Sequence, residues 1–244
     1  MRKKVMRFLS GGYQFLFSSK VRMKYFHQKK EEYTERRIQK ILEVSEYKSK
    51  NSLFIDCGTN LGQGFEFFRR IFEKEYFDYV MVEPNPNCVS YLKDKYHDLV
   101  KEAKLEILPK AASISDADTL LFGLVENDEN PYSQGASIKA FHNTADYEVD
   151  VEKAITVKTF DFVSFLRESI KSYDMVFIKM DIEGAEYSIL ENIVKEGLSA
   201  KIKGLIVEFH SEYMSLKYKR HYLKKEKQLL SSLKKGGCKV FTWV

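Results

Sequence analysis

Residues 53–64 read LFIDCGTNLGQG, a short apolar run that turns at once into a glycine-rich loop. An apolar run of this length, followed directly by a glycine, is typical of a buried parallel strand. Similar runs predict further strands at residues 79–82, 105–108, 118–125, 155–160, 175–178, 205–207 and 238–244. Helical patterns alternate with them, which predicts an α/β fold with a doubly wound, mostly parallel, Rossmann-like sheet.

The helices are predicted from apolar residues spaced three and four apart between the strands. They cover residues 31–47, 65–75, 87–97, 161–169, 186–195 and 211–235, with Asn87 as the cap of the third. Residues 126–150 are polar and rich in Asn, Asp, Gly and Ser, which predicts a long loop. A loop of that length inside a compact domain is usually functional or mobile.

Positive charge is concentrated at the N-terminus. The net charge is +5, yet residues 1–30 contain nine Lys and Arg and no acidic residue, which leaves 31 basic against 35 acidic residues beyond them. We expect a basic N-terminal helical extension, residues 1–50, followed by one domain, residues 51–244. Residues 1–30 of the extension are interpreted first as a helical cover on the body. Peripheral contact of residues 1–30 with an anionic membrane and a cleaved targeting peptide are the alternatives.

Composition excludes several classes of protein. The three cysteines, Cys57, Cys88 and Cys238, are far apart in sequence, which argues against a disulfide scaffold or a structural zinc site. Their low number favours a reducing compartment, and we expect a cytoplasmic protein, with a membrane-peripheral location as the alternative. No stretch approaches the roughly 20 apolar residues that cross a bilayer.

Acidic residues close several predicted strands, where the ligands of parallel sheets bind. The glycine spacing after Asp56 is G-x-x-x-G-x-G, which differs from the dinucleotide and P-loop patterns. An acid before the first glycine would repel a pyrophosphate and suits a cationic amino group. Glu83 ends the next strand, where a carboxylate accepts hydrogen bonds from a ribose diol. An adenosine joined to an amino acid, as in S-adenosylmethionine, fits this pocket better than a dinucleotide.

A third cluster of charge lies in the sequence KMDIEGAE, residues 179–186. Clustered carboxylates repel one another and need a cation, a ligand or a shifted pKa. Asp181 is the strongest candidate for function in this cluster. Glu186 is interpreted as a first-turn residue that the helix dipole favours.

These motifs resemble those of the FkbM-type family of S-adenosylmethionine-dependent methyltransferases, which have the class I methyltransferase fold. The matching segments lie within residues 51–210 and are FIDCGTNLGQG (54–64), VEPNP (82–86), PKAAS (109–113), VKTFDFV (157–163), IKMDIEGAEYSIL (178–190) and LIVEFH (205–210). The segment KMDIEGAE is the most specific of them. Cys57 departs from the small aliphatic residue usual in the family, and the completeness of the sheet beyond residue 238 is left open.

The resemblance implies a role for each matching residue. The methionine end of the cofactor would be lined by Asp56, Gly58, Thr59, Asn60 and Gly62. Glu83 would hold the ribose and Asn85 would lie near the adenine, with Ala111 and Ala112 flanking the ring. Asp181 would lie beside the transferred methyl group. The acceptor would be a hydroxyl of a sugar, glycan or secondary metabolite.

The reaction would be direct displacement, with the protein orienting the reactants and taking a proton from the hydroxyl. Asp181 is the first candidate base, and His210 and Glu183 are the other candidate catalytic residues. In a metal-assisted variant, Asp181, Glu208 and His210, with Glu183, would bind Mg²⁺ or Mn²⁺. The loop of residues 126–150, including Ser133, Gly135 and Ser137, would lie over the pocket.

Three other functions compete with this interpretation. A nucleic-acid methyltransferase would use the basic N-terminus and the basic helix of residues 211–235, although the acidic body makes nucleic acid an unlikely partner. An NAD-dependent oxidoreductase is disfavoured by the glycine spacing. A non-catalytic binding module on the same fold is the third, because a fold alone does not establish function. The oligomeric state is left open.

Overall fold

The computed structural model describes residues 6–7, 14–15, 19–124, 132, 135–140 and 149–243. Residues 1–5, 8–13 and 16–18 of the basic segment 1–30, and Ser133, lie outside these residues. The N-terminal part contains the short antiparallel pair β1 (Met6–Arg7) and β2 (Gln14–Phe15), followed by helix α1 (Ser19–Val44). Within the described residues, no helix is long and apolar enough to cross a membrane.

Six parallel strands form the central sheet, as the alternation of strands and helices predicts. They are β3 (Ser52–Cys57), β4 (Phe77–Val82), β5 (Leu105–Leu108), β9 (Met175–Met180), β10 (Ile202–Val207) and β11 (Val240–Thr242). Their spatial order is β11-β10-β9-β3-β4-β5. The chain therefore winds outward from β3 in both directions, and its switch point is the boundary between β3 and β9. Binding crevices of open α/β sheets form at such a point.

Helices cover both faces of this sheet because alternate side chains of each strand point to opposite sides. One face packs against α5 (Phe162–Ser172), α6 (Glu186–Lys195) and α7 (Leu216–Lys235), with Leu53, Ile55 and Ile178 in its core. The other face packs against α1, α2 (Gln63–Phe68), α3 (Pro86–Lys95) and α4 (His97–Lys101), around the buried Phe54 and Phe177. The arrangement is the doubly wound α/β architecture predicted from the sequence.

Helix α1 packs directly on the sheet domain. Ile38 and Leu42 are buried in the same apolar cluster as Phe54 and Phe177. Arg37 lies over the ring of Phe241, at 5.1 Å from its centroid. Residues 37–42 of α1 thus cover the body, whereas for residues 1–30, where a cover was predicted, the structure shows the contact of the Lys30 ammonium with the Trp243 carbonyl at 3.3 Å.

A second, three-stranded sheet follows β5. It consists of β6 (Ala111–Ser113), β8 (Val149–Asp161) and β7 (Ala117–Leu124), with β6 parallel and β7 antiparallel to the central β8. Strand β8 begins at Val149, so the last residues of the predicted loop 126–150 belong to a strand. The reason is the antiparallel pairing with β7, which extends to the pair Leu124 and Val149.

Two predicted helices differ from the structure. The helix predicted for residues 65–75 ends at Phe68, although Phe72 is still buried as the spacing requires. Residues 69–76 form turns instead, because the chain must return over a short distance to the start of β4. The cap of α3 is Asn85 and not Asn87, since the Asn85 side chain accepts a hydrogen bond of 3.0 Å from the Asn87 backbone N–H.

Candidate active site

A cavity of about 450 Å³ opens along the carboxyl edge of the central sheet. It extends from Ala111 and Ala112, beyond β5, across the ends of β4, β3 and β9 to Glu208 and Trp243, beyond β10 and β11. Three of the strand-end acids, Glu83, Asp181 and Glu208, therefore line one cavity, whereas Asp56 and His210 do not. The convergence follows from the sheet order, which places the carboxyl ends of all six strands at one edge.

The loop after β3 is held tightly against the ends of its neighbours. Gly58 has a φ of 75°, and a Cβ at this position would lie 1.7 Å from the carbonyl oxygen of Asp181. The Gly58 N–H donates to the Val82 carbonyl at 3.0 Å, and the Asp181 N–H donates to the Cys57 carbonyl at 3.1 Å. Only glycine allows this close approach. Gly62, also predicted to contact the cofactor, instead faces the hydroxyl of Tyr96 and does not line the cavity.

A buried lysine connects the ends of β3 and β9. The Lys179 ammonium lies 3.2 Å from an Asp56 carboxylate oxygen, 3.3 Å from one of Asp181, and 3.1 Å from the Gly58 carbonyl oxygen. Burial lowers the pKa of Lys179, but the charges of Asp56 and Asp181 outweigh it and raise the pKa overall. Asp56 is fully buried and does not line the cavity, whereas Lys179 does. Asp56 therefore acts on the cavity through Lys179.

Glu83 lines the cavity at the end of β4. One carboxylate oxygen accepts from the Asn60 N–H and the other from the Asn85 N–H, each at 2.8 Å. Burial raises the pKa of Glu83 to about 7, although these two hydrogen bonds oppose the shift. Each carboxylate oxygen retains a further lone pair for a ligand hydroxyl. The side chain is thus oriented by the backbone and available to a diol.

The other predicted cofactor residues are placed unequally. Thr59, Asn60, Ala111 and Ala112 line the cavity, whereas Asn85 caps α3 and does not. The Asn60 side-chain amide donates to the Tyr132 carbonyl at 2.8 Å. It thereby holds a residue of the loop that was predicted to cover the pocket.

That loop contributes further residues to the cavity. Gly135, Ala136 and Ile138 line it, as expected for a segment that lies over the pocket. Ser137 donates its hydroxyl to the Glu183 carbonyl at 2.5 Å and pairs through its backbone with Phe122. Ser137 therefore supports the turn after β9 rather than facing the cofactor side.

A histidine surrounded by carboxylates follows β10. His210 Nε2 lies 3.5 Å from an Asp181 oxygen and 3.2 Å from a Glu183 oxygen, and Nδ1 lies 3.0 Å from Glu186 Oε1. Burial lowers the pKa of His210, but Glu186, Glu183 and Asp181 outweigh it and raise the pKa to about 10. A protonated imidazole cannot accept a proton. This favours Asp181 over His210 as the base.

Glu186 has a larger role than the first-turn position predicted for it. It is fully buried, and its two oxygens accept from the Gly184 N–H at 2.9 Å and the His210 N–H at 3.1 Å. The side chain therefore holds together the turns after β9 and β10. The sequence around Glu186 gave no signal of this role, because His210, the residue that it joins to the turn after β9, is 24 positions away.

The predicted metal ligands are only partly brought together. Asp181, Glu183 and His210 offer ligand atoms within 4.8 Å of one another, whereas Glu208 is not part of this group. A metal requires the neutral imidazole. The raised pKa of His210 favours an imidazolium paired with the carboxylates, which already explains the cluster.

Sequence reasoning missed three residues of the cavity or its support. Lys179 carried a signal, because a lysine inside a fully buried strand is rare unless it is paired. Glu31 in α1 and Trp243 after β11 carried no such signal, because the sequence around each residue does not indicate that these two distant segments meet at the cavity.

Residues 56–227 match the protein family described as Methyltransferase FkbM domain. Among solved structures, the chain is similar to methyltransferase FkbM from Methylobacillus flagellatus KT, with 18% sequence identity and a TM-score of 0.43. That similarity covers 74% of this chain and 38% of the other, so the chain spans well under half of its length. No curated protein matches the chain. Because the family match includes more than half of the sequence, the protein belongs to the FkbM methyltransferase family.

Proposed function

We propose that the protein is an S-adenosylmethionine-dependent O-methyltransferase whose acceptor is a hydroxyl of a sugar, glycan or secondary metabolite. The observation that carries the proposal is the continuous cavity that joins Glu83 to Asp181. Glu83 is suited to a ribose diol, and Asp181 is suited to the proton of an acceptor. Membership of a methyltransferase family supports the same reaction class.

The residues of the cavity fit this cofactor along its length. The small side chains of Ala111 and Ala112 leave room for an adenine ring beyond β5, and Glu83 would accept from the ribose hydroxyls. The Lys179 ammonium would hold the methionine carboxylate, with Asp56 fixing the lysine from behind. The absence of a side chain at Gly58 lets the cofactor approach the backbone closely.

When bound, the cofactor would supply a sulfonium methyl group to the acceptor oxygen, and a neutral thioether would leave as the carbon–sulfur bond breaks. The task of the protein is to orient the hydroxyl and to receive its proton. Asp181 Oδ1 is the proton acceptor in this proposal. His210, held by Glu186, orients the Asp181 carboxylate through Nε2, and Lys179 holds its other oxygen.

Calorimetric titration of the purified protein with S-adenosylmethionine, S-adenosylhomocysteine and NAD⁺ tests the proposal. We expect micromolar binding of the first two and none of NAD⁺. Transfer of a labelled methyl group to a hydroxyl compound then distinguishes an enzyme from a binding module. Salt-dependent binding of RNA or DNA in the same titration would favour the nucleic-acid alternative.

The affinity for S-adenosylhomocysteine is expected to rise as the pH increases from 6 to 8. Glu83 has a raised pKa of about 7, so its carboxylate, which accepts both ribose hydroxyls, forms over this interval. About a tenth of the side chains are ionised at pH 6 and about nine tenths at pH 8, which sets an upper limit of about tenfold on the change. Calorimetry at several pH values measures it. Glu83→Gln should abolish the pH dependence, and an unchanged slope in this variant would contradict the assignment.

Whether the proposed reaction needs a divalent metal ion is tested separately, by measuring turnover in the presence of a chelator. If Mg²⁺ or Mn²⁺ joined Asp181, Glu183 and His210, turnover would be lost in excess chelator and restored by adding the ion. Retention of full turnover in the chelator would exclude an essential ion. Because His210 Nε2 lies within 3.5 Å of both carboxylates, and the charges around His210 raise its pKa to about 10, we expect the chelator-resistant result.

A further inference from the structure

The cavity continues past Asp181 to a wall formed by both ends of the chain. Its residues are Glu31 in α1, Phe67 in α2, Glu208 after β10 and Trp243 after β11. Glu31 and Trp243 lie outside residues 56–227, the segment that matches the family. Two of the four wall residues therefore come from outside the matched segment, and the other two, Phe67 and Glu208, come from within it.

The sheet order assigns this wall to the acceptor. Apart from Lys179 in β9, the residues proposed to hold the cofactor follow β3, β4 and β5, on one side of the switch point. Glu208 and Trp243 follow β10 and β11, on the other side, and Asp181 lies between the two groups. The proposed cofactor occupies one side of Asp181. An acceptor that presents a hydroxyl to Asp181 from the opposite side must contact this wall.

Several contacts hold the wall in place. The Trp243 backbone N–H donates to the Val207 carbonyl at 2.8 Å, and its ring lies 5.2 Å from that of Phe67 and 4.9 Å from that of Phe68. The Lys30 ammonium, next to Glu31, donates to the Trp243 carbonyl at 3.3 Å. Helix α1 and the end of β11 are thus joined at the cavity, and Trp243 is only partly buried.

Negative charge dominates this end of the cavity. Four carboxylates line it, those of Glu31, Asp181, Glu183 and Glu208, and Lys179 is the only lysine or arginine among the described lining residues. Lys179 is already paired with Asp56 and Asp181, and His210 is already surrounded by Asp181, Glu183 and Glu186. The Lys30 ammonium, which donates to the Trp243 carbonyl, partly offsets the charge of Glu208. Burial, and next the charge of Asp181, raises the pKa of Glu208. An acidic acceptor would meet repulsion here, whereas a neutral or cationic acceptor would not.

We infer that Glu31, Phe67, Glu208 and Trp243 form an acceptor subsite that binds an uncharged or amine-bearing sugar ring and rejects anionic sugars. The inference rests on the proposed function, which supplies the direction of the cofactor. A pyranose has an apolar face of C–H groups that packs on an aromatic ring, and its hydroxyls donate to carboxylates. An amine adds a charge that the same carboxylates stabilise.

The single tryptophan of the chain makes the subsite directly observable. Fluorescence of the full-length protein, saturated with S-adenosylhomocysteine, is measured during titration with methyl β-D-glucopyranoside, D-glucosamine and D-glucuronate. We expect a saturable change of the Trp243 emission with the first two sugars and none with glucuronate. Calorimetric binding of S-adenosylhomocysteine is measured on the same samples.

Reversing one charge tests which residue selects the ligand. Glu31→Lys is expected to weaken glucosamine binding by roughly tenfold and to allow glucuronate to bind. Glu32→Lys is the matched control, because the adjacent Glu32 pairs with Lys29 at 2.8 Å and does not line the cavity. The control should respond to the three sugars as the wild type does, with no binding of glucuronate, and both variants should keep their affinity for S-adenosylhomocysteine.

The outcomes separate the subsite from the proposed function. If S-adenosylhomocysteine binds and no sugar changes the emission, the subsite is refuted and the cofactor site stands. The subsite is refuted also if glucuronate binds to the wild type as well as glucosamine, or if the two lysine variants behave alike. If sugars bind with the expected preference and S-adenosylhomocysteine does not bind, the proposed methyl transfer fails and the sugar site stands.

Discussion

Turnover is expected to fall by about a thousandfold when Asp181 is replaced by asparagine, with little change in cofactor affinity. Asp181 follows β9 and lines the cavity between the proposed cofactor and acceptor ends. Asparagine preserves the shape of the side chain but cannot accept the proton of the hydroxyl. A positioned general base contributes about 10²- to 10⁴-fold to a rate. Single-turnover methyl transfer measures the rate, and calorimetry measures the affinity.

The exposed Asp118 of β7 provides the matched control, because Asp118→Asn makes the same chemical change away from the cavity. The control should keep the wild-type rate. If Asp181→Asn retained turnover within tenfold of the wild type, the proton would leave by another route, and His210 or solvent would become the candidate acceptor. A parallel loss of cofactor affinity would mean that Asp181 has a binding role instead.

The second large effect concerns folding. We expect Lys179→Met to lower the free energy of unfolding by about 3–5 kcal/mol, the usual cost of removing one partner of a buried ion pair. Asp56 is fully buried, and the Lys179 ammonium at 3.2 Å is its charged partner. Without the lysine, Asp56 must either stay ionised in an apolar interior or take up a proton. Urea unfolding followed by circular dichroism measures the change.

A double variant isolates the cause. Asp56→Asn combined with Lys179→Met removes both charges and should recover most of the lost stability, since the penalty arises from the unpaired carboxylate. Lys203→Met in the neighbouring strand β10 is the control, because Lys203 is exposed at its surface and should have little effect. If the double variant were as unstable as Lys179→Met alone, the loss would come from packing around the lysine and not from Asp56.

The sequence was sufficient for the parts of the fold that depend on local pattern. The six strands of the central sheet were found because each is a short apolar run that ends in a polar residue or a turn. Errors occurred where tertiary constraints override the local pattern. The predicted helix of residues 65–75 stops at Phe68 because the chain must return to β4, and β8 begins at Val149 because β7 pairs with it that far.

The candidate site was predicted to the extent that it lies at strand ends. Asp56, Glu83 and Asp181 were singled out because they close apolar runs, and the structure brings Glu83 and Asp181 to one cavity. Asp56 was predicted to touch the ligand, yet it is buried behind Lys179. A strand pattern indicates where a side chain lies along the chain, but not whether another side chain stands between it and the cavity.

The sequence by itself therefore determined the architecture and the edge of the sheet at which the cavity opens, because the spacing of apolar residues and the residue types at strand ends are local properties. The tertiary structure alone decided which charges meet. Lys179 pairs with Asp56 across 123 positions of sequence, and Lys30 meets the carbonyl of Trp243 across 213. Such contacts depend on the order of the strands in space, and a one-dimensional pattern does not contain that order.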